Sequence, residues 1–319
     1  MFDLIIIGGS AAATTAGIYA VRRGLNFKII TKDFGGEVAT SGEIGNWPGI
    51  SQTDGITLTN QFKEHLKFYN VTPEEGVEVD KITKQEGGTF LITTKDGQDY
   101  QAKTVIVATG VHPRELNVPG EKEFRNKGVS YCTVCDGPLF SGKTTAVIGG
   151  GNSALEAGLM LADISLKVYV INKNDKFKGD EILINKLTAK KNVEIVYNAK
   201  TTQIVGEQFV TGLKYEKEGF GVGSRGGALA RPGNSVGHEI KVDGIFVHIG
   251  MIPNSYIVPV DVKKNGSGEI IVSKNCETNI PGLYAAGDVT DVSFNQIVIA
   301  AGQGCIATLS AVNYLNKLK

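Results

Sequence analysis

The stretch Ala146-Val-Ile-Gly-Gly-Gly-Asn-Ser-Ala154 is a short apolar run that ends in three consecutive glycines followed by small or polar residues. A bound pyrophosphate requires a tight turn, a point where the backbone comes close, and a small residue where helix and strand pack. The helix that follows such a turn supplies free N–H groups and a positive dipole. The stretch therefore predicts a β-strand, a turn and an α-helix that together bind a dinucleotide. A second strand is predicted at 167–171.

The same pattern occurs at the N-terminus. There the apolar run Asp3 to Ile7 is followed by Gly8-Gly-Ser-Ala-Ala-Ala13, a helix-periodic stretch and a second short strand at 27–30. Each turn alone is also consistent with simple packing, and Ser10 and Ala13 occupy positions that glycine usually holds. Because the pattern occurs twice, it predicts an α/β protein with two dinucleotide-binding folds.

Composition excludes several classes of function. The chain has 319 residues, enough for two domains with separate cores. Lys plus Arg equals Asp plus Glu at 33 each, so no overall field attracts nucleic acid, and we expect none to bind. The apolar runs have the length of strands, so we expect no membrane span. The N-terminus lacks the basic region of a signal peptide, so we expect a cytoplasmic protein.

Two of the four cysteines are closely spaced, in Tyr131-Cys-Thr-Val-Cys-Asp-Gly137. In a reducing compartment such a Cys-x-x-Cys pair indicates redox or metal chemistry rather than a structural disulfide framework. Cys276 and Cys305 are isolated and lack a neighbouring ligand at zinc-finger spacing, which disfavours a four-cysteine zinc site. We therefore predict a redox-active dithiol and no metal.

These features, in this order and spacing, resemble the low-molecular-weight thioredoxin reductases of bacterial and archaeal type, which belong to the pyridine nucleotide-disulfide oxidoreductase superfamily. The similar segments are 8–13, 35–49, 108–110, 132–137, 149–154, 243–254 and 285–289. The resemblance implies two Rossmann-like (three-layer ββα) dinucleotide-binding domains, the second inserted into the first. It places the FAD-binding domain at 1–114 and 244–319 and the NAD(P)-binding domain, which carries the dithiol, at 115–243.

The resemblance also implies which residues contact the cofactors. The FAD contacts it implies are Gly8, Gly9, Ser10, Ala13, Gly35, Gly36, Glu37, Thr40, Asn46, Val79, Ala108, Thr109, Gly110, Gly287, Asp288, Gln296 and Ile297. The contacts implied for NADPH or NADH are Gly149, Gly150, Gly151, Asn152, Ser153, Ala154, Asn172, Lys173, Lys178 and Gly250. Glu37 departs from the family, in which glutamine is more frequent at this position.

The chemistry implied by the resemblance runs from nicotinamide through flavin to a Cys132–Cys135 disulfide and on to a thioredoxin-like protein. Cys135 would contact the flavin, and Cys132 would attack the external disulfide. Asp136 has a rationale of its own, because a departing thiolate needs a proton and an adjacent acid can donate it. The alternative for Asp136 is an ordinary loop residue before Gly137. The family also implies a homodimer.

The electron donor is less defined than the rest. NADPH-dependent relatives carry several arginines after the second strand of the inserted domain, because a 2′-phosphate favours bidentate guanidinium partners. This chain has Asn172-Lys-Asn-Asp-Lys-Phe-Lys178 there, without arginine. The sequence therefore leaves three candidates for the electron donor: NADPH, NADH, or another donor such as ferredoxin. A peroxiredoxin-coupled acceptor and a non-enzymatic redox sensor are the alternative functions.

One further segment, residues 218–237, has no counterpart among these motifs. Its glycine content predicts a flexible hairpin tip between two strands, at 210–215 and 240–247. Arg225 and Arg231 are its candidates for contact with a protein substrate or a nucleotide phosphate, and a mobile surface loop is the alternative.

Overall fold

A computed structural model describes residues 1–41, 43–217 and 236–318. The chain divides into two compact units, of which unit 1 is Met1–His112 with Met251–Lys319 and unit 2 is Pro113–Gly250. Unit 2 is thus inserted into unit 1 along the sequence.

The first segment of unit 1 supplies most of its sheet and two helices. Its elements are β1 (Phe2–Ile7), α1 (Ala11–Arg22), β2 (Phe27–Thr31), a 3-10 turn (Gly36–Val38), β3 (Glu43–Ile44), β4 (Thr53–Asp54), α2 (Gly55–Phe68), β5 (Glu74–Glu75), β6 (Val79–Lys84), β7 (Phe90–Thr94), β8 (Asp99–Val107) and β9 (Val111–Pro113).

Unit 2 begins with the dithiol segment and continues with a second strand, turn and helix. Its elements are β10 (Val129–Ser130), α3 (Thr133–Asp136), a 3-10 turn (Gly137–Phe140), β11 (Thr144–Ile148), α4 (Asn152–Ile164), β12 (Lys167–Ile171), α5 (Glu181–Thr188), β13 (Val193–Val196), β14 (Ala199–Gly206), β15 (Val210–Lys217), β16 (Val236–Lys241) and β17 (Gly244–Val247). The chain then returns to unit 1 with β18 (Met251–Pro253), β19 (Leu283–Ala285) and α6 (Ile297–Lys317).

Unit 1 is built on a seven-stranded sheet. Its strand order is β5-β2-β1-β8-β7-β6, and β19 pairs in parallel with β8. β1 lies between two parallel neighbours, β2 and β8, and four consecutive residues of β1 are buried because both faces of the sheet are covered. Helices α1 and α6 cover one face, where Ile6, Ala16, Ala307 and Ala311 share a core.

Unit 2 has three layers. A parallel sheet of order β10-β17-β11-β12-β13 forms the middle layer, and β14-β15-β16 form an antiparallel sheet. Val147 and Phe246 pack with α4 residues Leu155 and Leu161 on one face of the parallel sheet. Ile148 on the opposite face shares a core with residues of the antiparallel sheet. This is the ββα layering that the resemblance implies.

The second boundary between the units lies later than the sequence suggests. The prediction places the return to the first domain at residue 244, whereas the structure places it at residue 251. The reason is β17, which pairs with both β10 and β11 and therefore belongs to the sheet of unit 2. The first boundary differs by two residues from the prediction.

Helix α6 has 21 residues and contains an 18-residue window with a mean hydropathy of 1.4, so it is long and apolar enough to cross a membrane. Core helices of globular domains share these properties. In unit 1, Gly304, Ala307, Thr308, Ala311 and Leu315 of α6 are buried, and the Thr308 hydroxyl donates to the Ala16 carbonyl of α1 at 3.2 Å.

Candidate flavin, nucleotide and dithiol sites

The first glycine turn presents the N-terminus of α1 at the carboxyl end of β1. Gly8 has a φ of +136°, and a Cβ there would lie 2.1 Å from the Ala108 carbonyl oxygen. Ser10 precedes α1 without capping it through its side chain, and the first turn has no acidic residue. Ala13 is fully buried. The first N–H groups of α1 are thus available to an anion.

Gly35, Thr40 and Asn46 belong to segments that are tied to this turn and to the start of α6. The Gly35 N–H donates to the Gly9 carbonyl at 2.8 Å, and the Thr40 hydroxyl donates to the Glu37 carbonyl at 3.1 Å. The Asn46 carboxamide donates to Gln296 Oε1 at 3.1 Å, which joins the loop to the residue that precedes α6. Residues that the resemblance assigned to the flavin from distant parts of the sequence are therefore neighbours in unit 1.

Asp288 supplies an unsatisfied acceptor beside the same turn. Its Oδ1 is buried without a hydrogen-bond partner among the described residues. The preceding Gly287 packs against Ala12 of α1, and its N–H donates to Gln303 Oε1 at 2.7 Å. Burial, together with the smaller effect of the Glu37 charge, raises the pKa of Asp288 to about 6. A buried acceptor without a partner fits a ligand hydroxyl, such as those of the FAD ribityl chain.

The pH dependence of the free energy of unfolding of the FAD-free protein tests the burial of Asp288. Between pH 4 and 6 the folded state binds more protons at Asp288 than the unfolded state, so this group's contribution to stability falls as pH rises. We expect the wild type to lose up to about 3 kcal/mol relative to Asp288→Asn across this range. Urea unfolding of both proteins at several pH values measures the difference, and parallel curves would refute it.

The remaining predicted FAD residues lie after β8, at the start of β6 and at the start of α6. The Ala108 N–H donates to the Ile7 carbonyl at 2.7 Å. Thr109 exchanges two hydrogen bonds with Asn254, both of 2.9 Å, and Gly110 has a φ of +63°. Val79 is buried at the start of β6. Ile297 is the first residue of α6.

The second glycine turn repeats this geometry in unit 2. A Cβ on Gly149 would lie 2.1 Å from the His248 carbonyl oxygen, and Ala154 is fully buried beneath the turn. Gly151 precedes α4 with open space beside it, and the first turn of α4 has no acidic residue. The turn thus leaves the N-terminus of α4 available to a pyrophosphate.

The loop after β12 packs onto the second turn. Gly150 faces the Asn172 side chain, and the Lys178 N–H donates to the Gly150 carbonyl at 2.7 Å. Asn172 is buried, and its carboxamide bonds the Asn174 N–H and the Lys176 carbonyl. These contacts engage Asn172 within its own loop, and its contact with the nucleotide stays a prediction. The side chains of Lys173 and Lys178 are exposed.

Two predicted nucleotide residues have structural partners as well. Asn152 forms two hydrogen bonds with Asp180, of 2.7 and 3.0 Å. Gly250 ends unit 2 with a φ of +109°, and its carbonyl accepts the Arg114 N–H at 2.9 Å. Arg225 and Arg231, the predicted candidates for contact with a protein substrate or a nucleotide phosphate, lie outside the described residues.

The dithiol lies at the start of the short helix α3. Cys132 and Cys135 form a disulfide, and Cys132 precedes the helix as its N-cap. The Cys135 N–H donates to Cys132 Sγ at 3.3 Å. An N–H directed at a sulfur stabilises its thiolate, so this geometry favours Cys132 as the nucleophile after reduction.

Asp136 ends α3 and faces the protein interior. Its Oδ1 is buried without a partner among the described residues. Burial raises the pKa of Asp136, and a hydrogen bond with Ser130 acts in the opposite direction. The Ser130 hydroxyl also accepts the Cys132 N–H at 3.0 Å. An acid of raised pKa beside the disulfide is suited to proton donation.

Several residues that support the sites are missing from the sequence predictions. Glu121 is buried and accepts the N–H groups of Leu116 and Asn117 and the Tyr131 hydroxyl at 2.7 to 2.9 Å, so it anchors the residue before Cys132. Gln303, Asn254, Ser130 and His248 were also missed. No spacing rule identifies them, because each acts through hydrogen bonds whose partners are set by the fold.

The isolated cysteines lie apart from the dithiol in sequence and belong to unit 1. Cys276 is buried, which raises the pKa of its thiol to about 11. Cys305 of α6 contacts the Tyr19 hydroxyl of α1. Within residues 1–41, 43–217 and 236–318, no group of three or more His, Cys, Asp or Glu residues has metal-binding geometry.

Comparison with known proteins agrees with this geometry. A family model for pyridine nucleotide-disulphide oxidoreductases matches residues 2–304. An alkyl hydroperoxide reductase component of Escherichia coli (strain K12) is 40% identical over 100% of this chain and 59% of its own length. A protein of Bacillus subtilis (strain 168) named NADH dehydrogenase is 39% identical over 98% of this chain and 58% of its own length. The chain thus spans less than two thirds of these relatives.

Among solved structures, thioredoxin reductase from Streptococcus pyogenes MGAS5005 superposes with a TM-score of 0.87 at 32% identity, over 99% of both chains. The predicted α/β fold with two dinucleotide-binding domains is confirmed by this similarity, and FAD with a pyridine nucleotide are the cofactors of the family. The chain belongs to the pyridine nucleotide-disulphide oxidoreductase family.

Proposed function

We propose that the protein is a flavin-dependent disulfide reductase that transfers electrons from NAD(P)H to the Cys132–Cys135 disulfide and then to a thioredoxin-like protein. The observation that carries this proposal is the Cys132–Cys135 disulfide at the start of α3, in the same unit as a glycine turn shaped for a pyrophosphate. Bound FAD would supply a two-electron carrier between nicotinamide and sulfur. The residues described above at 8–13, 35–46 and 287–288 would hold it.

The protein's own residues account for the sulfur chemistry. Reduction breaks the Cys132–Cys135 bond and leaves one thiolate and one thiol. Cys132 is the thiolate, because its Sγ accepts a hydrogen bond from the Cys135 N–H. Cys132 then attacks one sulfur of the substrate disulfide, and a mixed disulfide forms while the other substrate sulfur leaves as a thiolate. Asp136 donates the proton to the departing thiolate. Cys135 then attacks Cys132 Sγ, which re-forms the Cys132–Cys135 disulfide and releases the second substrate sulfur, and the Cys135 proton passes to that sulfur.

Substitution of Asp136 tests its role as the acid. We expect Asp136→Asn to lower thioredoxin-dependent turnover by about a hundredfold. In the wild type, turnover falls as pH rises through the pKa of Asp136, because the proton is lost, and this limb should be absent in the variant. Ser130→Ala should move the limb to higher pH, because the Ser130 bond lowers this pKa. Wild-type turnover in Asp136→Asn would contradict the assignment.

The donor is tested by anaerobic titration of the FAD-loaded protein. Three lysines, Lys173, Lys176 and Lys178, lie where a 2′-phosphate would need cationic partners, and a relative bears the name NADH dehydrogenase. We expect the flavin absorbance near 450 nm to bleach with NADPH or NADH, and the faster of the two identifies the donor. Bleaching by neither nucleotide would refute the nucleotide-fed reductase.

A second function has a specific observation in its favour. The E. coli relative is named as a component of alkyl hydroperoxide reductase, so a peroxiredoxin-type disulfide is an alternative acceptor. Turnover assays with a thioredoxin and with a disulfide-form peroxiredoxin, each at equal concentration, separate the two. Failure with both acceptors, together with normal flavin bleaching, would favour a flavin-binding redox sensor.

We also propose that the protein is a cytoplasmic homodimer that binds neither nucleic acid nor membranes. A reducing compartment suits a catalytic dithiol, and the charge of the chain is balanced. Light scattering of the purified FAD-loaded protein measures its mass against the 33.9 kDa of one chain.

A further inference from the structure

His248 follows β17 directly, and its ring lies between hydroxyl groups of two different helices. Nδ1 is 2.8 Å from the hydroxyl of Ser153, near the start of α4. Nε2 is 2.7 Å from the hydroxyl of Thr133, the first residue of α3. The His248 carbonyl oxygen also packs against Gly149 of the second glycine turn. One residue thus contacts the nucleotide turn, the helix that follows it, and the helix that carries the dithiol.

The two hydrogen bonds of His248 depend on each other. Burial lowers the pKa of His248 to about 4, so the ring is neutral near pH 7. A neutral imidazole has one nitrogen that donates and one that accepts. Either Ser153 donates to Nδ1 and Nε2 donates to Thr133, or Thr133 donates to Nε2 and Nδ1 donates to Ser153. The direction of one hydroxyl therefore determines the direction of the other.

A nucleotide would select one of these two arrangements. Ser153 lies in the first turn of α4, where the free N–H groups favour a pyrophosphate. If the Ser153 hydroxyl donates to a phosphate oxygen, it has to accept from His248 Nδ1. Nε2 is then the acceptor, and the Thr133 hydroxyl becomes a donor.

The other end of this chain of hydrogen bonds meets the dithiol. Thr133 is adjacent to Cys132 and begins the four-residue helix whose N-cap is Cys132. Opening of the disulfide moves the two sulfurs apart, and in a helix of one turn this separation would be taken up in part at its start. The Thr133–His248 bond lies at that point, so its energy differs between the disulfide and the dithiol.

We propose that His248 is a positioning residue that couples the nucleotide turn to the dithiol helix. Binding of a pyrophosphate-bearing nucleotide shifts the disulfide–dithiol equilibrium of Cys132 and Cys135, and reduction of this pair changes nucleotide affinity by the same factor. The inference rests on the proposed function, because it takes the Gly149 turn as the nucleotide site.

The test measures the disulfide–dithiol equilibrium of the FAD-loaded full chain. Mixtures of reduced and oxidised dithiothreitol set the potential, and two electrons and two protons pass from the reagent to the disulfide. Free thiols are trapped by alkylation and counted by mass spectrometry. Samples are compared with and without ADP-ribose or its 2′-phosphate, which carry the pyrophosphate but no nicotinamide and cannot donate hydride. Calorimetry establishes that the probe is bound.

We expect a bound probe to shift the equilibrium constant of the wild type by about fivefold or more, and that of His248→Phe by less than about twofold. Phenylalanine keeps the ring volume and removes both nitrogens. His238→Phe is the matched control, because His238 lies exposed in β16, stacked on Tyr215, and it should retain the full shift. No shift in the wild type, or an unchanged shift in His248→Phe, would overturn the inference.

A spectroscopic measurement keeps the inference testable if His248→Phe does not fold. The wild type is labelled with ¹⁵N-histidine. When ADP-ribose or its 2′-phosphate binds, the chemical shifts of the two ring nitrogens of His248 should move towards those of the tautomer protonated at Nδ1. The chain has four histidines, which makes assignment tractable. Unchanged ring shifts with the probe bound would overturn the coupling alone and leave the reductase function intact. If neither probe binds, the coupling and the nucleotide-fed function are both refuted.

Discussion

Replacement of Cys135 by serine is expected to lower NAD(P)H-dependent disulfide reduction by on the order of a thousandfold or more, because the variant cannot form the Cys132–Cys135 disulfide. FAD binding should be unaffected, since the residues proposed to hold FAD belong to unit 1 and Cys135 belongs to unit 2. Steady-state assays with a thioredoxin substrate measure the loss, and the flavin spectrum reports the cofactor.

Cys305→Ser is the matched control for this prediction. Cys305 lies in α6 beside Tyr19, and a serine hydroxyl retains a polar contact there. We expect turnover within about twofold of the wild type, as for most substitutions remote from the reacting groups. Substantial turnover in Cys135→Ser would show that the pair does not carry the electrons. An equal loss of turnover in Cys305→Ser would show that the loss is not specific to the Cys132–Cys135 pair.

Substitution of Gly304 by alanine is expected to destabilise unit 1 by about 1–3 kcal/mol, because the added methyl group has no space. Its Cβ would lie 2.1 Å from the carbonyl oxygen of Ala12, where α6 packs closely against α1. Ala12 adjoins the first glycine turn, so any separation of the two helices displaces the N-terminus of α1. We therefore expect weaker FAD retention as well as a lower melting temperature.

Gly302→Ala provides the control on the same helix. Gly302 is exposed, and a Cβ there meets no atom within 4 Å. The free energy of unfolding of this variant should equal that of the wild type or exceed it by about 0.5–1 kcal/mol, because alanine favours the helix. Thermal unfolding and free-FAD fluorescence of the two variants measure the contrast. Equal behaviour of Gly302→Ala and Gly304→Ala would show that the α1–α6 approach does not limit stability.

Much of the fold follows from local sequence patterns. The apolar runs that precede the two glycine turns form β1 and β11, and the strand predicted at 167–171 coincides with β12. The Cys-x-x-Cys spacing places both sulfurs within one helical turn, where they form a disulfide. These features are predictable because each depends on residues within a few positions of one another.

Features that local patterns leave open depend on how the chain packs. The apolar pattern at 240–247 resembles one strand, but the chain forms β16 and β17, which belong to different sheets. Asn172 is suited to bind ribose when its sequence position is considered alone. In the fold, its side chain bonds the backbone of its own loop beside Gly150, and its contact with ribose stays a prediction. Periodicity and spacing carry no information about such partners.

The sequence by itself determined the two glycine turns, the dithiol and the family to which the chain belongs, because these depend on residue type at short range. Only the tertiary structure decided which side chains serve those motifs. It placed Gln303 where its side chain accepts the Gly287 N–H, and Ser130 where its hydroxyl bonds the Asp136 carboxyl. It also placed the His248 ring between the hydroxyl groups of Ser153 and Thr133. The physical reason is that a hydrogen bond depends on distance and direction in space, and packing of the sheets and helices determines both.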